Sequence, residues 1–224
     1  MRDPELTRQK ILDVAAAEIH ARGFKATSLS DILNAAGISK GALYHHFTNK
    51  NELGYAVMEE IFMPMFSMPW RQACQHDDPI AVMTAMFRAF PENLSEEELE
   101  QGCPITNICT EMATIDEGFR QRTEVLYGKL IDDIATALPK SGLRDDVDPA
   151  QSAMFMLAAM KGIVTVVKSV RCRDTFKILN AELANYMEGL RSEESKAAAA
   201  LREAPTFEMP TCELQTAENL ANEE

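Results

Sequence analysis

The chain lacks the patterns that mark several common classes of protein. Its five cysteines are scattered, odd in number and without a CxxC pair, which argues against a disulfide framework and against a zinc site. No run of apolar and polar residues alternates as a strand would. The N-terminus, MRDPELTRQK, carries no apolar stretch after its first basic residue, so no secretory signal is expected. The longest apolar segment, Ala153 to Val170, is interrupted by Lys161 and Lys168 and reads as a buried helix rather than a membrane span. Outside the first 50 residues His76 is the only histidine, and no paired carboxylates or Ser-His-Asp order appear. The expectation is a cytoplasmic protein with no membrane contact, not an enzyme, and without metal or cofactor.

What is present is a 224-residue chain with 46% hydrophobic residues, long enough to bury a core in one large or two small domains. The net charge of −13 at first argues against nucleic acid as a partner. Its distribution removes that objection. Residues 1–55 hold seven Lys/Arg against six Asp/Glu, whereas the remainder holds 15 against 29. Screening limits the reach of distant charge to about 8–10 Å, so an acidic far end does not forbid a phosphate-binding near end.

Almost every segment has helical period, and the fold class expected is all-α. In TRQKILDVAAAEIHARGF the apolar residues recur at three- and four-residue steps until Gly23. Ser28 to Asp31 forms a capping-box pattern that starts a second helix, with Leu29, Ile32 and Leu33 inward, and Gly37 ends it. Ser39 caps a short helix ending near Phe47, and Asn49 to Glu52 opens a long one. Pro64 and Pro69 are expected to break or kink the chain. ENLSEEELEQGCP and PKSGLRDDVDP read as connectors, and two strongly apolar helices follow at about 150–170 and 174–191. The domains are taken as 1–50, 51–191 and an acidic tail, 192–224, expected to be disordered.

The helix, glycine-containing turn and short helix around AAGISKGAL fit either an ordinary αα-corner or a helix-turn-helix. The short helix SKGALYHHF favours the second. Leu43 and Phe47 lie one turn apart and face inward, leaving Lys40 with Tyr44, and Gly41 with His45, on the opposite face. Such a helix matches a major groove about 12 Å wide. Gly41 and Ala42 leave no bulk at its entry; Lys40, Tyr44 and His45 can reach base edges or phosphates. His46 meets DNA backbone or is simply a packing residue. Helix N-termini at Thr27/Ser28 and at Lys50 are candidate phosphate clamps.

From Thr7 to about Val57 the chain resembles the N-terminal DNA-binding domain of the TetR family of bacterial transcriptional regulators. The resemblance rests on Gly-Phe at 23–24, Thr-Ser at 27–28, Ala-Gly-Ile-Ser at 36–39, Lys-Gly at 40–41, Leu-Tyr-His-His-Phe at 43–47 and Lys50. It implies a homodimer on double-stranded operator DNA, with contacts from Thr27, Ser28, Ser39, Lys40, Gly41, Ala42, Tyr44, His45, His46 and Lys50. Ala42 and His45 sit where the family varies, so they help set which operator is read. The resemblance also implies a C-terminal domain that binds a small-molecule effector and dimerises.

The second half supplies candidates for both tasks. Ala158, Ala159 and Gly162 permit close helix approach across a dimer, with Leu179, Leu183, Tyr186 and Met187 as the matching stripe. Residues 58–90 hold six Met beside Phe62, Phe66, Trp70, Phe87 and Phe90. Singly each is ordinary core; as a set that includes Met83, Ile108, Met112, Met154 and Phe155 they favour a largely apolar effector. Arg88, Arg120 and Lys161 are the bases available to an anionic one. Cys103 precedes Pro104 at a helix start, where a thiol's pKa falls. It lines the pocket or senses an electrophile or oxidant, although Glu97 to Glu100 oppose thiolate formation. The leading reading is a ligand-released repressor; thiol sensing and activation are the alternatives.

Overall fold

The computed structural model describes residues 4–201 and Pro205. Among them the chain is helical, with one isolated antiparallel bridge between Leu143 and Arg191. The helices are α1 Pro4–Arg22, α2 Leu29–Ala36, α3 Lys40–His46, α4 Lys50–Ala56, α5 Met63–Gln75, α6 Pro79–Asn93, α7 Glu96–Gln101, α8 Pro104–Met112, α9 Glu117–Ala137, α10 Pro149–Val170, α11 Arg173–Gly189 and α12 Glu193–Ala200. A π-helical turn, Val57–Phe62, lies between α4 and α5, and a 3-10 turn, Leu138–Ser141, follows α9. Two compact units result. Among the described residues, the first joins those up to 66 with 104–124, and the second joins 67–103 with those from 125 onward.

The first unit is built around α1, whose Ile11, Leu12, Val14, Ala15, Ala16 and Ile19 are buried against α2, α3, α4 and α8. Ser28 and Asp31 form the expected reciprocal capping box at the start of α2. Gly37 ends that helix at φ 62°, ψ 36°, and the Ile38 amide donates to Leu33 O. Only glycine takes this left-handed position without cost. Leu29 and Leu33 turn out half-buried; Ile32 and Ala36 are the residues that reach the core. Asn49 Oδ1 accepts from the Glu52 amide, but the Glu52 carboxylate returns to Thr48 rather than to Asn49.

The prolines do not break the long helix. The Met63 amide bonds to Met58 O, a five-residue step in place of four. A widened turn immediately before Pro64 makes room for a ring that would otherwise strike the preceding carbonyl. Pro69 is carried inside α5. The acidic connector also needs correction, because Ser95 and Glu98 make a second capping box that starts the short helix α7.

In the second unit α6 and α11 pack antiparallel. Asp78 meets Arg191 at one end, and the rings of Phe90 and Phe176 meet at the other. Trp70, Met83, Met86, Phe87, Leu130, Ile134, Met156, Leu183 and Met187 are buried around them. Ala153 to Val170, expected as a buried helix with one face on its own domain and another under a second copy, is covered only in part within the chain. Within the chain α10 is long and apolar enough to cross a membrane by length and composition, yet only 28% of that apolar window is buried. The acidic tail is helical over Glu193–Ala200; residues 202–204 and 206–224 of the segment expected to be disordered lie outside the described residues.

Candidate nucleic-acid interface

Three capped elements position the candidate DNA-contacting side chains. The α3 helix is seated by Leu43, with no exposure, and Phe47, 2% exposed, which pack into the first unit. Arg8, itself paired with Glu60 at 2.6 Å, lies 5.4 Å over the Phe47 ring and closes the seat. Ser39 starts the helix by accepting from the Ala42 amide at 3.2 Å. On the outer face Lys40, Gly41, Tyr44 and His45 are exposed and Ala42 is half-buried. The Lys40 ammonium lies 5.7 Å from the Tyr44 ring centroid. His46 is half-buried, its ring 5.0 Å from that of His45 and 6.4 Å from that of Phe47.

Beside this face stand the starts of α2 and α4. Ser28 is exposed, but Thr27 has no exposure at all. Its hydroxyl donates to Gly23 O at 2.8 Å and Glu18 O at 3.1 Å. Thr27 is therefore a correction: its side chain ties the end of α1 to the start of α2 and is turned away from any phosphate. Lys50 is half-buried, its ammonium 4.5 Å over the Phe24 ring and 3.4 Å from Lys25 O. Desolvation lowers its pKa, opposed by the nearby carboxylates of Glu111 and Asp31. Thr48, Asn49, Lys50, Asn51, Glu52 and Tyr55 line a shallow open concavity at this corner.

The candidate effector residues divide between the units. Phe62, Ile108 and Met112 are buried in the first unit, with Phe66 half-buried there. In the second unit Met83 is fully buried, and Trp70 and Phe87 meet edge-to-face at 5.5 Å. Met154 and Phe155 depart from the expectation. They are 57% and 52% exposed on α10, and Phe155 packs on Tyr186 of α11 instead of facing inward. Cys103 is half-buried and unpaired by disulfide. Of the three bases, Arg88 and Arg120 are exposed, and Arg120 is spent on Glu117 and Glu124. Lys161 alone turns inward, donating to the Tyr127 hydroxyl. No group of three His, Cys, Asp or Glu that could hold a metal is found among the described residues.

Two residues that shape this corner carry no signal in the sequence. Glu111 accepts from the Phe24 and Lys25 amides, and Asp116 accepts from Asn51 and from the Tyr55 hydroxyl. Each reaches more than 60 positions back along the chain, and no local spacing announces that.

An all-helical chain whose short, capped third helix offers a small-residue entry and a Lys/Tyr/His face belongs to the helix-turn-helix class of DNA-binding regulators. Comparison with known proteins narrows the class. Residues 11–57 match the family described as "Bacterial regulatory proteins, tetR family", and residues 79–182 match "Transcriptional regulator LmrA/YxaF-like, C-terminal domain". The chain belongs to the TetR family of transcriptional regulators. It is 29% identical over 59% of its length, and 68% of the relative's, to an uncharacterized HTH-type regulator in the lacX 3′ region of Lactococcus lactis subsp. lactis. It is 24% identical over 75% of its length, and 85% of the relative's, to the transcriptional repressor DhaR of Mycobacterium sp. strain GP1. A TetR-family regulator from Cytophaga hutchinsonii shares the fold, with TM-score 0.75 and 20% identity over 86% of this chain and 98% of that one.

Proposed function

We propose that this regulator is a repressor that binds a palindromic operator as a homodimer and is released by a small, largely apolar effector. The observation that carries the reading is the outward face of α3, where Lys40, Tyr44 and His45 stand exposed on a helix anchored by buried Leu43 and Phe47. At 1.5 Å per residue such a helix spans about 10 Å, close to the width of a major groove. Ser39, Lys40, Gly41, Ala42, Tyr44, His45 and His46 face the groove and its walls, with Ser28 and Lys50 as the phosphate clamps. DhaR is named a repressor, which supports the sign of regulation.

The dimer reading draws on exposed apolar surface. Met154, Phe155, Val166 and Val170 on α10, with Ile178 on α11, are 44–63% exposed. So much apolar area calls for cover, and a second copy supplies it with two-fold symmetry, which makes the operator palindromic. The partner stripe shifts from the one expected, because Leu183 and Met187 are spent on the chain's own core while Ile178 faces out. The buried Met and aromatic residues around Trp70, Met83 and Phe87 support an apolar effector. Release then requires that the effector bind the non-operator conformation more tightly. Selection of bound duplexes from a random pool tests the proposal: a recovered inverted repeat supports it, and recovery without sequence preference rejects it.

A further inference from the structure

We infer that Glu111 is a positioning residue for DNA reading: its carboxylate holds the turn between α1 and α2 so that the α2 start and Lys50 are presented together. The inference rests on the assignment of α2, α3 and the α4 start as the DNA-reading surface. It runs against simple electrostatics, which would have an acid beside that surface repel DNA.

The carboxylate grips the turn through both oxygens. Oε2 accepts from the Phe24 amide and Oε1 from the Lys25 amide, each at 2.8 Å. Charge-assisted, bidentate contacts of this kind are the strong ones. The same peptide segment is held from its carbonyl side, where Lys50 Nζ reaches Lys25 O at 3.4 Å. Phe24 is wedged between the Lys50 ammonium, 4.5 Å from its centroid, and the Phe119 ring, at 5.0 Å. Two residues further on, Thr27 locks to Gly23 and Glu18, and Ser28 begins α2. Glu111 thus holds this short turn by two amides and Lys50 by a carbonyl, and that turn sets the direction of both clamps.

A second grip lies on the same segment. Asp116 accepts from Asn51 Nδ2 at 2.9 Å and from the Tyr55 hydroxyl at 2.7 Å, which fixes one face of α4. With Asp116 holding α4 and Glu111 holding the turn, the stretch 111–119 sets the distance between the two clamps. Removing Glu111 frees two amides and leaves Lys50 pulling on an unsupported carbonyl. The phosphate contacts then lose their geometry, although the surface has become less negative.

The test uses the full chain and a short labelled duplex recovered by the wild-type protein from a random pool. Binding is followed by anisotropy across a salt series, with thermal stability measured in parallel. Glu111→Ala is expected to weaken binding about tenfold and to reduce the salt slope by about one, the signature of a lost phosphate contact. Glu111→Gln keeps one acceptor oxygen and is expected to fall between. Both variants should speed hydrogen exchange at the Phe24 and Lys25 amides, a readout that serves even where Glu111→Ala folds poorly. Unchanged or tighter DNA binding by folded variants, or unchanged exchange at those amides, overturns the inference alone. If the wild-type protein recovers no specific duplex, the DNA-reading assignment falls and the inference with it.

Discussion

At the scale of the residue, the molecule separates groups that carry contacts from groups that aim them. Tyr44 and Lys40 stand on the open face of α3, whereas Leu43 and Phe47, one position away from Tyr44 or a turn further on, are sealed in the core. That alternation follows from helical period and was legible in nine letters of sequence. Thr27 was not. The Ser28–Asp31 spacing reads as a capping box, as found, but nothing in the sequence says that Thr27 beside it bonds backward to Gly23 and Glu18. Thr27→Val keeps the volume but removes the hydroxyl bonds to Glu18 O and Gly23 O, while the Thr27 amide still donates to Gly23 O. It is expected to cost about 1 kcal/mol, read as a lower melting temperature.

At the scale of the element, a buried clasp organises the second unit. Arg191, 1% exposed, bonds Asp78 at 2.9 Å, Ser141 O at 3.1 Å and Glu188 at 2.8 Å. It joins the end of α11 to the start of α6 and to the 3-10 turn. The arginine 113 residues from Asp78 was not legible in the sequence, because an isolated Arg looks like any surface base. Burial alone would raise the pKa of Asp78, but the Arg191 guanidinium and the Ser141 hydroxyl hold it below the usual carboxylate range. A carboxylate depressed in the folded state stabilises above its unfolded pKa of about 3.9. That stability is lost as pH falls through the lower folded value. Unfolding midpoints measured from about pH 7 down to about 3 should therefore decline, and Asp78→Asn should flatten the decline. Arg191→Met leaves the Asp78 charge buried without its partner and is expected to cost about 3–5 kcal/mol in denaturant titration.

The same scale explains why the prolines misled. A proline forbids the ordinary four-residue bond and clashes with the carbonyl behind it, so Pro64 and Pro69 read as breaks or kinks. The π-helical turn Val57–Phe62 absorbs the first, and no composition rule announces a turn one residue wider than usual. An all-round apolar helix needs cover on more than one face, and within one chain Met154, Phe155, Val166 and Val170 of α10 are open.

At the scale of the whole molecule, that openness argues for a second copy. Ile178→Glu places a charge on the exposed α11 face and is expected to shift the protein toward monomer in native mass spectrometry. A monomer should also lose most operator affinity, because two half-sites bound together gain from effective concentration. An unchanged dimer would move the interface elsewhere. The all-α class, the order of the first four helices and the seat of α3 were all present in the sequence, since each depends on local period and capping. The tie from Glu111 to the turn at Phe24 and Lys25, and the exposure of Met154 and Phe155, depend on contacts distant in the chain or outside it.

The outer face of α3 is where the molecule is held to read DNA, and Tyr44 stands at its middle. The most direct measurement is operator binding by Tyr44→Ala beside wild type, on a duplex selected by the wild-type protein, with the mass of each protein determined in the same buffer. Specific binding is expected to be lost while the variant stays folded and keeps the wild-type oligomeric mass. Normal binding by the variant would contradict the assignment of α3 as the reading helix.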